Sequence, residues 1–156
     1  MKIRKARKED LNQIVKLDIA YLKYQRKFAK WLGNSKLKID KNEIRNEIKE
    51  SFSKKDHLFL VAEENNIING FVHAELMPYK ESKTKNKAVV EIIDIYSHVK
   101  RKGTGKLLLK EIEKWTKKNK ADYILWEFIT GNKIAESFCK KNKFKDFKTK
   151  MLEKIK

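Results

Sequence analysis

The chain has 156 residues, 40% hydrophobic and 10% aromatic, enough for one domain (1–156) with a buried core and too apolar for a disordered chain. No apolar run approaches the roughly 20 residues that cross a bilayer, and the opening MKIRKARKED lacks the apolar core of a signal peptide. Thirty-nine Lys and Arg against 21 Asp and Glu give a formal charge of +18, a field that draws anions, although its even spread also fits plain lysine enrichment.

In chain order, MKIRKA alternates Ile3 with charged neighbours and predicts a first strand. KEDLNQIVKLDIAYLKYQ predicts a helix, with Leu11, Ile14, Val15, Ile19 and Leu22 on one face and Glu9 and Asp10 at its positive end. GNS at 33–35 breaks it, and a second helix follows from Lys41 to Phe52. HLFLVAEE and NIINGFVHAELM predict a hairpin turning at ENN, ended by Pro78, the only proline. YKESKTKNK is a polar loop, and AVVEIIDIYS reads as a central strand, apolar on nearly both faces. After the turn HVKRKGTG comes a helix carrying Leu108, Leu109, Ile112 and Trp115. ADYILWEFIT predicts a strand, NKIAESFCKKN a short helix, and FKDFKTKMLEKI a closing strand or pair of strands. The order predicts an α+β domain, an α/β sandwich with a mixed central sheet flanked by helices. One cysteine, Cys139, leaves no internal disulfide, so a soluble, cytoplasmic protein is expected.

The turn draws attention because two of only 5 glycines, Gly103 and Gly105, stand there among Lys100, Arg101, Lys102, Lys106 and Lys110. A P-loop requires a glycine where Lys100 stands and a Ser or Thr where Leu107 stands. A dinucleotide turn requires a third glycine at Leu108. KRKGTG instead fits strand, then [QR]-x-x-G-x-[GA], then helix, with Lys100 first. Glycines there let backbone N–H groups approach a pyrophosphate, and the helix N-terminus adds further donors. The plain alternative is a glycine turn with solvated lysines.

Four regions in the same order resemble the GCN5-related N-acetyltransferase family: IRKARKEDLNQIVKL with Arg4, Ala6 and Asp10, AVVEIIDIYS, KRKGTGKLLL, and NKIAESFCKKNKF. The resemblance covers nearly the whole chain. It implies a fold in which strands four and five splay at a bulge, and acetyl-CoA as co-substrate. The pantetheine arm would lie along Ile95, Tyr96 and Ser97. The pyrophosphate would rest on the turn from Lys100 through Arg101, Lys102, Gly103, Thr104 and Gly105 to Lys106, with Asn132, Ala135, Phe138 and Lys141 flanking the cofactor. The reaction it implies is direct attack of a primary amine on the thioester, which needs a proton acceptor for the amine and a donor for the oxyanion.

Glu91 and Asp94 are acids inside an apolar strand, at places where the family often carries one; Glu91 is the first choice of base and Asp94 the second, against a structural carboxylate bonded to backbone or to Arg4. Three departures stand out. Cys139 occupies the place of the family's tyrosine acid, either as a thiol near the leaving sulfur or as a small packing residue. Lys143 replaces the glycine after the last helix, which predicts a different turn, and the segment from Ser97 to Lys100 is short. Asp18 interrupts the first helix's apolar face and either enters the acceptor cleft or reaches solvent. Trp31 and Tyr24 either line that cleft or pack.

His57, His73 and His98 show no metal-ligand spacing, so no metal is expected. No nucleic-acid-binding signature is present, which leaves a basic nucleic-acid binder and a non-catalytic CoA-binding protein as the alternatives. The expected partner is an amine, small or on a protein, and the expected state a monomer or homodimer. The net charge disfavours polycationic acceptors unless Asp18, Glu75 and their neighbours make an acidic pocket.

Overall fold

The computed structural model describes residues 1–29, 39–78, 88–98, 103–151 and 153. These divide into two compact units, one spanning Met1–Tyr21 and Ile39–Glu127, the other drawn from 22–38 and 128–156.

The first unit is built on five strands in sequential order: β1 (Lys2–Lys5), β2 (His57–Glu64), β3 (Ile67–Pro78), β4 (Ala88–Ser97) and β5 (Tyr123–Trp126). The first four run antiparallel and β5 lies parallel to β4. Asn65 and Asn66 turn the β2–β3 hairpin at φ 54° and 62°, the left-handed values that asparagine tolerates. β5 ends at Trp126, so the strand expected through ADYILWEFIT is shorter than its apolar run.

α1 (Leu11–Gln25) follows a single 3₁₀ turn at Lys8–Asp10, and α2 (Lys41–Ser51) starts at Asp40, whose side chain accepts the N–H groups of Asn42 and Glu43. α3 (Thr104–Lys118) packs on all five strands. It buries Leu108, Leu109 and Ile112 on the sheet face that carries Leu58, Leu60, Val72, Ala74, Val90 and Ile92. Each of the Leu, Ile and Val side chains contributes about 1.5–3 kcal/mol. The opposite face is aromatic: Phe59 stacks on Phe71 at 5.6 Å and on His73 at 5.2 Å. Tyr21 of α1 meets Phe71 edge-on at 6.4 Å, and Phe52, just after α2, meets Phe59 at 5.3 Å.

Arg4 ties β1 to the start of α1. Its guanidinium forks onto Asp10 at 2.6 and 2.9 Å and reaches Glu63 at 2.7 Å. The Arg4 and Asp10 side chains are only 12% and 8% exposed, and the Arg4 hydrogen bonds hold the Asp10 carboxyl below its ordinary range. This pair contributes stability above the unfolded carboxylate pKa and loses it as pH falls through the lowered one. Arg4 is thus engaged by the acids of its own corner, Asp10 and Glu63.

In the second unit, α4 (Lys133–Lys141) begins at Asn132, whose Oδ1 accepts the Ala135 N–H at 3.2 Å and the Tyr24 hydroxyl at 3.2 Å. Its end corrects the expectation of a different turn. Lys143 adopts φ 66°, the Phe144 N–H bonds the Cys139 carbonyl at 3.1 Å, and the Lys143 N–H the Lys140 carbonyl at 3.4 Å. That is the left-handed cap a glycine usually makes, held here by a lysine at a strain of about 1–2 kcal/mol. Glycine gives back about 0.5–1 kcal/mol of that through unfolded-state entropy. Lys143→Gly should therefore stabilise by about 0.5 kcal/mol and raise the melting temperature by about 1–2 °C, as calorimetry would show.

No described residue of the expected closing strand is in a strand. Phe144, Phe147 and Met151 recur at intervals of three and four rather than two, so no single strand face collects them. Phe147 and Met151 are exposed.

Candidate functional site

β4 is the pivot of the first unit. β5 pairs with it only from Val89 to Ile92. One residue further, the β3 register shifts: Ala74 stands opposite Ile92 but His73 stands opposite Asp94. Ile93 is the extra residue, a β-bulge, and beyond it β4 is bonded to β3 alone among the described strands. The His98 N–H bonds Asn69 towards β3 at 2.9 Å, so alternation turns the backbone groups of Ile95 and Ser97 to the other edge, with those of Tyr96 facing β3. The bulge also moves a side chain. Glu91 and Asp94, three apart, would face opposite ways in a regular strand. Here both share the aromatic face, Glu91 opposite Glu75 and Asp94 opposite His73.

The start of α3 lies at the far end of β4. A Cβ on Gly70 would stand 2.7 Å from the Tyr96 carbonyl oxygen and 3.2 Å from both Ser97 Cα and Thr104 Cγ2, so only glycine lets strand and helix meet there. Gly103 precedes α3 at φ 74° and, having no side chain, does not cap it; no acid stands in the first turn. Thr104 is buried, its hydroxyl on the Met1 sulfur at 3.3 Å, while Gly105 is half-buried and Lys106 exposed. Among the described residues the result is an electropositive helix end without a side-chain cap and with open space beside Gly103, where an added Cβ would meet nothing within 4 Å. Such an end fits a pyrophosphate. Lys100, Arg101 and Lys102, expected in the same turn, lie outside the described residues, as does Trp31.

Three carboxylates gather over the aromatic face. Burial pushes Asp94 up to about 6, with a hydrogen bond from Tyr21 pulling it back and Glu47 adding to the rise. Burial, then Asp94 and Glu47, push Asp18 up to about 7. Asp18 therefore turns inward, towards Asp94. Tyr21 and Tyr96 stand beside them with ring centroids 5.7 Å apart, and burial raises the Tyr96 hydroxyl pKa. A carboxylate that titrates near neutrality beside an opened strand edge is suited to accept a proton.

The acetyltransferase (GNAT) family model matches residues 23–144, spanning the bulged strand, the glycine turn and α4. The chain belongs to the acetyltransferase (GNAT) family. Among curated proteins none matches it by sequence. Its structure is similar to that of a mutant BH1408 protein from Bacillus halodurans, with TM-score 0.83, 19% identity and 99% of each chain covered. It is similar to the apo aminoglycoside 6'-N-acetyltransferase AAC(6')-IG from Acinetobacter haemolyticus, with TM-score 0.77, 16% identity, and 100% of this chain and 99% of that one covered. It is also similar to a predicted acetyltransferase with acetyl-CoA from Clostridium acetobutylicum, with TM-score 0.77, 17% identity, and 98% and 95% covered. At such identities the likeness carries the fold. No described helix is long and apolar enough to cross a membrane.

The second unit of this GNAT chain holds the remaining expected residues. Asn132 and Ala135 are buried, Phe138 is half-buried and Lys141 exposed on the last turn of α4. The Asn132 carbonyl oxygen already caps α4 and receives Tyr24, which leaves its amide N–H₂ as the group to offer a ligand. Cys139 is 8% exposed, and burial, with Asp146 adding, pushes its thiol up to about 11.

One pairing has no counterpart in the sequence spacing of the GNAT motifs. His57 Nδ1 lies 2.8 Å from His73 Nε2, and their rings stack at 5.1 Å. Burial lowers His73 to about 4, with His57 and Lys54 adding to the shift. Counting register back from ENN would have placed His73 beside Leu58. A second bulge, where Ala62 pairs with Gly70 but Glu63 with Ile68, moves it onto the face of His57.

Proposed function

We propose that the chain is an N-acetyltransferase that passes the acetyl group of acetyl-CoA directly to a primary amine in a ternary complex. The observation that carries this reading is the bulge at Ile93, where one residue both opens the β4 edge and turns Glu91 and Asp94 to the same face. Acetyl-CoA is the acyl donor. Its pantetheine arm pairs with the edge at Ile95 to Ser97 like an added strand, and its pyrophosphate sits at the Gly103 end of α3, with Lys100, Arg101 and Lys102 adding charge. The amine nitrogen attacks the thioester carbonyl, and a β4 backbone N–H stabilises the oxyanion. Asp94 takes the amine proton, directly or through water, and Glu91 is the alternative base. Asp94 is favoured over the sequence-based first choice because its proton affinity lies close to neutrality and Tyr21 orients it. The intermediate collapses with loss of the CoA thiolate. Cys139 holds its proton too tightly to donate it readily to that thiolate, so its role is packing on α4.

The acceptor favoured is a small cationic amine. Asp18, Asp94 and Glu47 supply the acidic pocket that a polycation requires in a chain of this charge, and the similar AAC(6')-IG enzyme acts on aminoglycosides. The test is CoA release from acetyl-CoA with an aminoglycoside, a polyamine, a free amino acid and a peptide N-terminus. Release is expected to exceed slow hydrolysis with the two polycations first. Binding of acetyl-CoA with no transfer to any amine would leave a non-catalytic CoA-binding protein.

A further inference from the structure

On the same aromatic face, beside the bulge, His57 opens β2 directly after Asp56, and Glu75, which stands opposite Glu91, is its Cα partner on β3. We infer that Asp56, His57 and Glu75 form a site for a first-row divalent transition metal of the Zn²⁺ class. His57 Nε2 stands 3.8 Å from Asp56 Oδ1 and 3.9 Å from Glu75 Oε2, and the three ligand atoms all lie within 4.8 Å of one another. Those separations are too long for hydrogen bonds. Ligands held about 2.0–2.2 Å from a tetrahedral ion stand about 3.4 Å apart, so the site closes by about half an ångström between the imidazole and each carboxylate and by up to about 1.4 Å between the two carboxylates. The carboxylates can supply it, since the Asp56 and Glu75 side chains are 55% and 31% exposed.

The imidazole is the fixed point. The His57 side chain is only 9% exposed, and its Nε2 faces both carboxylates, at 3.8 and 3.9 Å. Its other nitrogen is bonded to His73. When His57 Nδ1–H donates to His73, Nε2 presents a lone pair to the carboxylates, and metal-binding histidines are oriented by just such a bond on the second nitrogen. In that tautomer the lone pair and the two carboxylates repel one another, and a bound cation relieves the repulsion. One imidazole with two carboxylates suits zinc and its neighbours. Calcium and magnesium, which ask for six or more oxygen ligands, fit less well. Three protein ligands leave a position for water or another small ligand.

Calorimetric titration of the chelator-treated chain with Zn²⁺ tests this, with Mg²⁺ as comparison. One Zn²⁺ per chain is expected, with no comparable Mg²⁺ binding. Glu75→Gln, Asp56→Asn and His57→Gln should each weaken Zn²⁺ by about 10-fold or more, while His98→Gln and Cys139→Ala should leave it unchanged. The two carboxylate variants change partly exposed side chains and keep the fold. Absence of Zn²⁺ binding by the wild type, unchanged affinity in any of the three ligand variants, or dependence on His98 or Cys139 overturns the proposal.

Discussion

Replacing Gly103 with aspartate is expected to abolish the rise in melting temperature that acetyl-CoA gives the wild-type chain. A ligand that binds only the folded state at 100 times its dissociation constant stabilises by about 2.7 kcal/mol, which in a domain of this size is a rise of about 5–10 °C. Among the described residues the N-terminus of α3 carries no side-chain cap and no acid in its first turn, and a helix N-terminus of that kind offers its N–H groups and dipole to phosphate oxygens. A carboxylate at Gly103 would take those donors and repel the pyrophosphate. Gly103→Ala separates charge from backbone strain. Its Cβ meets nothing within 4 Å, but the left-handed φ of 74° costs an alanine about 1–2 kcal/mol. Alanine should therefore lower the melting temperature and keep most of the ligand-induced rise. A normal acetyl-CoA shift in the aspartate variant would remove the pyrophosphate from this turn.

Asp94→Asn is expected to lower kcat by about 10²–10⁴-fold, the range for loss of a general base, with acetyl-CoA affinity changed little. The wild-type rate should rise with pH through the region of 6 to 7, where Asp94 and its neighbour Asp18 titrate. The two carboxyls interact, so the profile reports values belonging to the pair, and the asparagine variant should lose that dependence. Stability should move the other way. A carboxyl whose folded pKa is raised contributes most below its unfolded pKa of 3.8, and that contribution is lost as pH rises through about 6. Removing the charge should thus leave the variant at least as stable as wild type at pH 8. Low activity with intact stability cannot come from misfolding. Activity within about threefold of wild type would pass the base to Glu91, with Glu91→Gln as the next measurement.

Much of this arrangement was legible in the residues. The helix of Leu108, Leu109 and Ile112, the ENN hairpin, the strand AVVEIIDIYS and the turn before α3 follow from periodicity and from glycine and asparagine chemistry, which are local. Local rules failed where the chain end was expected to form a strand without an alternating pattern. They failed again at Lys143, because propensity counts a lysine against a left-handed cap that the helix end nevertheless imposes. Asp18 looked like an intrusion on an apolar face, and its meaning appeared only once α1 lay over β4.

The sequence by itself determined which residue types stand on which elements: two acids in an apolar strand, a glycine turn before a helix, two histidines in a hairpin. Which of them meet was decided by the tertiary structure, through two single-residue bulges. Strand side chains alternate with a period of two, so one inserted residue reverses the face of everything beyond it. The bulge at Ile93 puts Asp94 with Glu91, and the shift between Ala62 and Glu63 puts His73 with His57. Where a strand takes its extra residue depends on the strand beside it, and no local pattern in the chain records that.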